Sequence, residues 1–349
     1  MTCRHRNHIV VFCPFGCKYI IIMDLKGKKI LFFTASFLGF QDDIKNALES
    51  MGALVDWYDE RVGESTLTKA LVRINRNSLA LKINRYYDSI IEKTKNVNYD
   101  YIFFVNVEAA TKSIIEKLKK EHPYAKFILY EWDSIINNKN VRNLLDLFDE
   151  KWSFDKNDCQ EFGIKLLPLF YNNDYALIEK REHYLYETMF VGTTHSDRFQ
   201  FVKMIENQIK GDSFNWFYFP SQLLYLKMWF QDSFFRKKSK RSDFKFKPLS
   251  KKSLIETVEK ARIIIDAQHP KQTGLTMRTI ETLGARRKLI TTNEQVKEYD
   301  FYNPKNILVV DRRNPVITDD FLHSDYEDIP SEMYKKYSLN SWITTIFHE

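Results

Sequence analysis

From Ile30 onward, short runs of apolar residues alternate with segments in which apolar side chains recur every three or four positions. The runs "ILFFT", "ALVDWYD", "YDYIFFVN", "KFILYEW" and "EKWSFD" read as strands. Between them "QDDIKNALESMG", closed by Gly52, "LVRINRNSLALKINRYYDSIIEK", "EAATKSIIEKLKKEHP" and "NVRNLLDLFD" read as helices. The strands are almost continuously apolar instead of alternating, which predicts parallel sheets covered on both faces. The series restarts at "YETMFVGTT". Helix "SDRFQFVKMIENQIKG", strand "FNWFYF", helix "LIETVEKA", strand "RIIIDA", helix "GLTMRTIETLG" and strands "KLITT" and "NILVVD" follow. The pattern predicts an α/β chain of two Rossmann-like domains, residues 23–180 and 181–330, facing across a cleft. A basic insertion over 228–252 interrupts the second. The closing "SEMYKKYSLNSWITTIF" within 331–349 predicts a C-terminal helix that packs back on one or both domains.

A chain of 349 residues is long enough for two cores of roughly 150 residues each. A hydrophobic fraction of 44% with 15% aromatics excludes disorder. "MDLKGKKILFFTAS" reads as the opening of the first domain, so residues 1–22 are expected to lie outside the core. Cys3, His5, His8, Cys13 and Cys17 match no standard zinc spacing, and no metal is expected. The four cysteines form no spaced framework, which fits a reducing, cytoplasmic compartment. "IVVFCPFGCKYIIIM" is broken by Pro14, Gly16 and Lys18, and no apolar run reaches the roughly 18 residues of a membrane helix.

The net charge of +7 is concentrated in one place. Arg236, Lys237, Lys238, Lys240, Arg241, Lys245, Lys247, Lys251 and Lys252 stand against Asp243 alone, and the remainder of the chain is close to neutral. That distribution argues against a nucleic-acid partner. It leaves a solvated linker, or a peripheral contact of 228–252 with anionic lipid or a phosphorylated acceptor.

Ligands of doubly wound sheets sit beyond the carboxyl ends of the strands, so the residues just after each strand carry the candidate chemistry. In "QTGLTMRTIETLG" the turn Gln272, Gly274, Leu275 and Thr276 leads into a helix whose N-terminus suits a phosphate. Met277, Ile280 and Gly284 share the face toward the sheet. Arg278 and Glu281 project elsewhere, the first suited to a diphosphate and the second to two ribose hydroxyls. Spacing alone equally admits a surface helix pair worth a few tenths of a kcal/mol. Asn293 ends the next strand. Gly192 and Thr193 end the strand "YETMFVGTT" and His195 and Arg198 follow it; in the first domain Glu108 and Asp133 follow strands on the same edge. Asp133 ranks first as a general base, with capping of the next helix as its alternative role.

The segments "YEWDSI", "FDEKWSFDKND", "LPLFY", "FVGTTHSDR", "GLTMRTIETLGARRKLITTN" and "YDFYNPKNI" together resemble glycosyltransferases of the GT-B architecture. The resemblance is strongest to bacterial capsule and lipopolysaccharide biosynthesis proteins related to the spore-coat maturation glycosyltransferases. It implies donor diphosphate on Arg198 and the Gly274 turn, donor ribose on Glu281, and no metal or other cofactor. The family's Glu-x(7)-Glu pair is matched only at Glu281, since Thr273 stands at the first position. The expected activity is transfer of a sugar from a nucleotide-diphosphate donor to a lipid-linked or oligosaccharide acceptor in surface polysaccharide synthesis. The alternatives are a sugar-nucleotide epimerase of the same shape, or a non-catalytic nucleotide-sugar-binding scaffold.

Overall fold

The structure, a computed structural model, describes residues 2–5, 8–11, 20–62, 79–136, 138–268 and 273–348, with backbone alone for residues up to 23 and for Lys139. Strands β1 (Thr2–His5), β2 (His8–Val11) and β3 (Ile20–Met23) form a separate antiparallel sheet. The chain divides into two units, one of Met1–Pro168 with Leu339–Glu349 and one of Leu169–Ser338. The division falls after Pro168, where the sequence pattern places it at 180.

In the first unit, strands β4 (Lys29–Thr34), β5 (Leu54–Asp59), β6 (Tyr101–Val105), β7 (Lys126–Glu131), β8 (Glu150–Ser153) and β9 (Lys165–Leu166) form one parallel sheet in the order β5-β4-β6-β7-β8-β9. Alternate side chains serve opposite faces. Leu31, Phe33, Ile102, Phe104 and Leu129 share a core with Ile83, Tyr87 and Ile90 of the helix Ala80–Thr94 and Ile114, Ile115 and Leu118 of the helix Lys112–Glu121. On the other face the rings of Phe103 and Tyr130 meet Phe347 and Trp342 of the helix Leu339–Phe347, at centroid distances of 5.3 and 4.6 Å. The end of the chain thus completes the core of its beginning.

In the second unit, β10 (Tyr186–Thr193), β11 (Ser213–Tyr218), β12 (Phe244–Lys245), β13 (Ala261–Asp266), β14 (Lys288–Thr291) and β15 (Ile307–Val309) are parallel in the order β12-β11-β10-β13-β14-β15. This is the dinucleotide-binding Rossmann order, with the reversal between its first and fourth strands.

Three expectations change. The segment 228–252 is not an insertion: it folds as the helix Ser233–Lys238 and the edge strand β12. Phe235 and Phe244 are buried there with their rings 4.8 Å apart, so aromatic burial outweighs the repulsion of the cations around them. "NVRNLLDLFD" forms only the turns Lys139–Arg142 and Leu145–Leu147. Asn138 and Asn140 donate to the carbonyls of Val107 and Ala110 at 2.6 and 2.8 Å, which ties the segment to the sheet edge. The single C-terminal helix is two, Ser331–Lys336 in the second unit and Leu339–Phe347 in the first. Between them the Tyr337 carbonyl accepts from the Tyr171 amide at 2.9 Å and the Tyr337 ring lies 4.8 Å from Phe301. Of the long helix expected over 71–93, Ala80–Thr94 is observed and 71–78 lie outside the described residues.

Gly284 shows how closely the second unit is packed. A Cβ there would stand 2.5 Å from Tyr171 Cγ and 2.6 Å from its Cβ, atoms too near the backbone to swing aside. The Gly284 carbonyl accepts from Tyr334 Oη at 2.6 Å, and the Tyr334 carbonyl accepts from Tyr171 Oη at 2.9 Å. Replacing Gly284 by Ala is therefore expected to lower stability by about 1–3 kcal/mol through overpacking, read as a lower denaturant midpoint with an unchanged slope.

Candidate functional site

In the second unit the reversal point lies between β10 and β13. These strands pair only as far as Met189↔Ile264, whereas β10 continues against β11 to Thr193↔Tyr218. Arg198, at the start of the helix Arg198–Glu206, occupies the place where the pairing stops. Its Nε donates to the Ala267 carbonyl at 2.5 Å and its Nη1 to the Thr193 carbonyl at 3.0 Å. Burial lowers the pKa of its guanidinium, opposed by the charges of Asp266 and Asp197. Beside it Arg312 grips Asp197 with both arms, at 2.8 and 2.6 Å, and donates to the Gln268 carbonyl at 2.8 Å. That fork holds the Asp197 carboxyl below its ordinary range. His195 Nδ1 lies 3.1 Å from Ser196 Oγ. Gly192 is packed under Phe190, whose Cζ would stand 3.0 Å from an added Cβ. The Thr194 hydroxyl is buried without a hydrogen-bond partner among the described residues.

The turn into the helix Met277–Gly284 is held from both sides. Thr276 caps the helix, accepting from the Thr279 amide at 3.2 Å, and donates to Asp266 Oδ2 at 2.5 Å. Thr279 Oγ1 donates to the same oxygen at 3.0 Å. Asn293 donates to the carbonyls of Thr273 and Gly274, each at 3.2 Å, and its Oδ1 accepts from the Gln295 amide. Asn293, 2% exposed, thus clamps the Gly274 turn. Leu275 is buried, and Gln272 lies outside the described residues.

Arg278 and Glu281 are not a surface pair. Their side chains are 17% and 8% exposed, with Nη1 2.8 Å from Oε2. The approach is not aligned as a hydrogen bond, and Arg278 Nη1 makes none among the described residues. Burial raises the Glu281 pKa, and Arg278 and the hydroxyl of buried Tyr175 oppose that rise. For Arg278, burial is outweighed by Glu281, Tyr175 and Asp266, and its pKa rises. A buried guanidinium and carboxylate therefore sustain one another's charge, with Arg278 Nη1 itself buried and in no aligned hydrogen bond among the described residues.

In the first unit the strand ends present acids. Asn106 follows β6 in the left-handed region at φ 62, which Asn tolerates better than most residues. Its Nδ2 reaches Glu108 Oε1 at 3.3 Å and Asp133 Oδ2 at 3.2 Å, bringing the two predicted carboxylates to one amide. Behind them lie Glu131, accepting from the Val107 amide at 2.9 Å, and Glu60, accepting from the amides of Ala109 and Ala110 at 2.7 and 2.8 Å. Both are fully buried. Burial pushes the Glu60 carboxyl up to about 8 against those amide bonds, and the charge of Glu108 adds to the rise. Burial also drives Glu131 well above the carboxylate range.

Sequence reasoning missed Arg312, Asp266, Tyr175, Asn106, Glu60 and Glu131. Asp266, Asn106, Glu131 and Arg312 each stand at or just beyond a strand's carboxyl end, so position alone marked them. Tyr175 carried no signal, because its partners lie about a hundred residues downstream. Among the described residues no group of three or more His, Cys, Asp or Glu side chains is arranged to hold a metal ion.

Glu60 generates a pH dependence. The folded chain holds a proton up to about pH 8 that the unfolded chain releases near 4.5. Stability should therefore decline as pH rises between those values, by an amount on the order of 5 kcal/mol. Glu60→Gln keeps an oxygen for the two amides and removes the titration. Urea unfolding at pH 5 and pH 8 should show a smaller loss for the variant than for the wild type.

No protein-family model matches the sequence, and no curated protein matches it. Solved structures match it by shape. HepE from Anabaena, in complex with UDP and glucose, aligns with a TM-score of 0.55 at 11% identity over 92% of this chain and all of that one. OtsA without ligand aligns at 0.60 and 11% identity over 92% and 99%. The trehalose 6-phosphate synthase of Burkholderia multivorans aligns at 0.54 and 10% identity over 92% and 95%. At these identities the likeness is one of fold: two Rossmann-like α/β units of the GT-B architecture.

Proposed function

We propose that the protein is a glycosyltransferase that moves a sugar from a nucleotide-diphosphate donor to an acceptor hydroxyl. The observation that carries this reading is the buried Arg278–Glu281 pair on the helix after β13. Glu281 offers the ribose two acceptor oxygens, and Arg278 Nη1 offers the diphosphate a donor that is unmet among the described residues. The helix N-terminus adds positive potential where the leaving group gains charge. Basic groups and the helix dipole serve in place of a metal. Arg198 acts by fixing the ends of β10 and β13, and Gly192, Thr193 and His195 form the rim. HepE, whose fold this chain shares, is in complex with UDP and glucose, which supports the reading.

In the first unit Asp133 and Glu108, joined by Asn106, are the groups that accept the acceptor's proton. The acceptor is a lipid-linked or oligosaccharide chain of surface polysaccharide synthesis, and the reaction is cytoplasmic, where nucleotide sugars are made.

Incubation with candidate nucleotide sugars tests the reading. Release of nucleotide diphosphate supports transfer; an isomerised donor identifies an epimerase, and binding without turnover a scaffold. Glu281→Gln is expected to weaken nucleotide affinity roughly tenfold in calorimetric titration, and unchanged affinity would sink the ribose assignment. Glu281→Ala instead strands a buried guanidinium and should cost about 3–5 kcal/mol of stability. Asp133→Asn should lower turnover about 100-fold or more with donor affinity unchanged; if only Glu108→Gln does so, the base is Glu108.

A further inference from the structure

The helix Gln222–Gln231 is apolar on two sides. Tyr225, Met228 and Trp229 turn into the core of the second unit. Leu223, Leu226 and Phe230, spaced i, i+3, i+7, form a stripe on the other side and are 77%, 45% and 69% exposed. Leu224, 46% exposed, borders it. A helix that is apolar all round normally lies buried on every side, and scattered single hydrophobics do not line up in this way.

Cations adjoin the stripe. Lys227 lies within the helix, and Arg236, Lys237 and Lys238 end the next helix, Ser233–Lys238. Arg236 Nη1 donates to the Phe230 carbonyl at 3.4 Å, and its guanidinium lies 5.7 Å from the Trp229 ring. The basic run therefore begins where the stripe ends. Lys251 and Lys252 have carboxylate partners in Asp174 and Glu256. Lys227, Lys237 and Lys238 form no ion pair among the described residues.

A second copy of the chain would bring the same cations to the same face and be repelled, and a neutral partner would leave them unmet. A bilayer with anionic headgroups satisfies both parts: the leucines and Phe230 enter the headgroup boundary, and the lysines and arginines meet the phosphates. We infer that the helix Gln222–Gln231 and the cations that follow it dock the second unit on an anionic membrane surface. The apolar anchor lies upstream of the basic run that the sequence singles out. Among the described residues no helix is long and apolar enough to cross a membrane, so the contact is peripheral. Docking needs neither donor nor acceptor and stands apart from the proposed chemistry.

Flotation of the full chain with vesicles of phosphatidylcholine alone, or mixed with phosphatidylglycerol, is the test. The wild type should float with the mixed vesicles and bind the neutral ones at least about tenfold more weakly, with binding lost at high salt. The Leu223→Asp/Phe230→Asp and Lys237→Glu/Lys238→Glu variants should each bind about tenfold less or worse, while keeping wild-type circular dichroism and melting. Equal binding to both vesicles, or no effect of either variant, overturns the inference. So does a wild-type dimer in sedimentation that the Leu223→Asp/Phe230→Asp variant turns into a monomer, since the stripe would then be a self-contact.

Discussion

The hydrogen bonds from Arg198 to the carbonyls of Thr193 and Ala267 hold together the carboxyl edge of the second unit's sheet, from which its candidate site is built. A doubly wound sheet turns its connections in opposite directions at one place, and there two neighbouring strands end with no ladder between them. Buried carbonyls at that point need donors, because an unmet one costs about 1–3 kcal/mol. A planar guanidinium reaches both strand ends at once, which an ammonium on one flexible stem does less well. Once β10 and β13 are fixed, Asp266 at the end of β13 stands where it accepts from Thr276 and Thr279. The capped helix then carries Arg278 and Glu281 into place. Arg198 is therefore a structural element of the candidate site, spent on backbone carbonyls.

The two units solve the same edge with opposite charge. In the second, arginines satisfy carbonyls. In the first, carboxyls satisfy amides: Glu60 on Ala109 and Ala110, Glu131 on Val107. Fully buried acids so close together cannot all ionise, and those deepest keep their protons to the highest pH. Glu108 and Asp133, nearer the surface, meet at Asn106. The left-handed backbone of Asn106 turns the chain so that one amide faces both carboxylates, a strained conformation of the kind that gathers at functional edges.

The strands were legible because parallel strands buried on both faces leave continuous apolar runs, as in "ILFFT" and "RIIIDA". The helix Met277–Gly284 was legible from the Gly274 turn before it and the spacing of Met277, Ile280 and Gly284. What escaped depends on partners distant in sequence or on backbone atoms, which carry no residue signature. Arg287, between Arg286 and Lys288, is 2% exposed and donates to the carbonyls of Val258, Ala285, Glu179 and Glu259. The basic stretch over 228–252 looked like an insertion because its charges hid Phe235 and Phe244. Those two rings, packed with Phe199, Phe219 and Tyr225, decide its fold.

The same logic revises the meaning of Arg278 and Glu281. A surface pair three residues apart would contribute a few tenths of a kcal/mol and leave both groups open to solvent. A buried pair is different, since each charge is tolerable only while the other stays beside it. A ligand that takes the carboxylate must therefore supply hydrogen bonds to it and negative charge to the guanidinium together. A ribose joined to a diphosphate offers both in one molecule, whereas a free sugar offers only the hydroxyls and a free phosphate only the charge. In the proposed donor role, burial of the pair would act as a filter for the complete nucleotide, with one carboxylate where Thr273 leaves out the second.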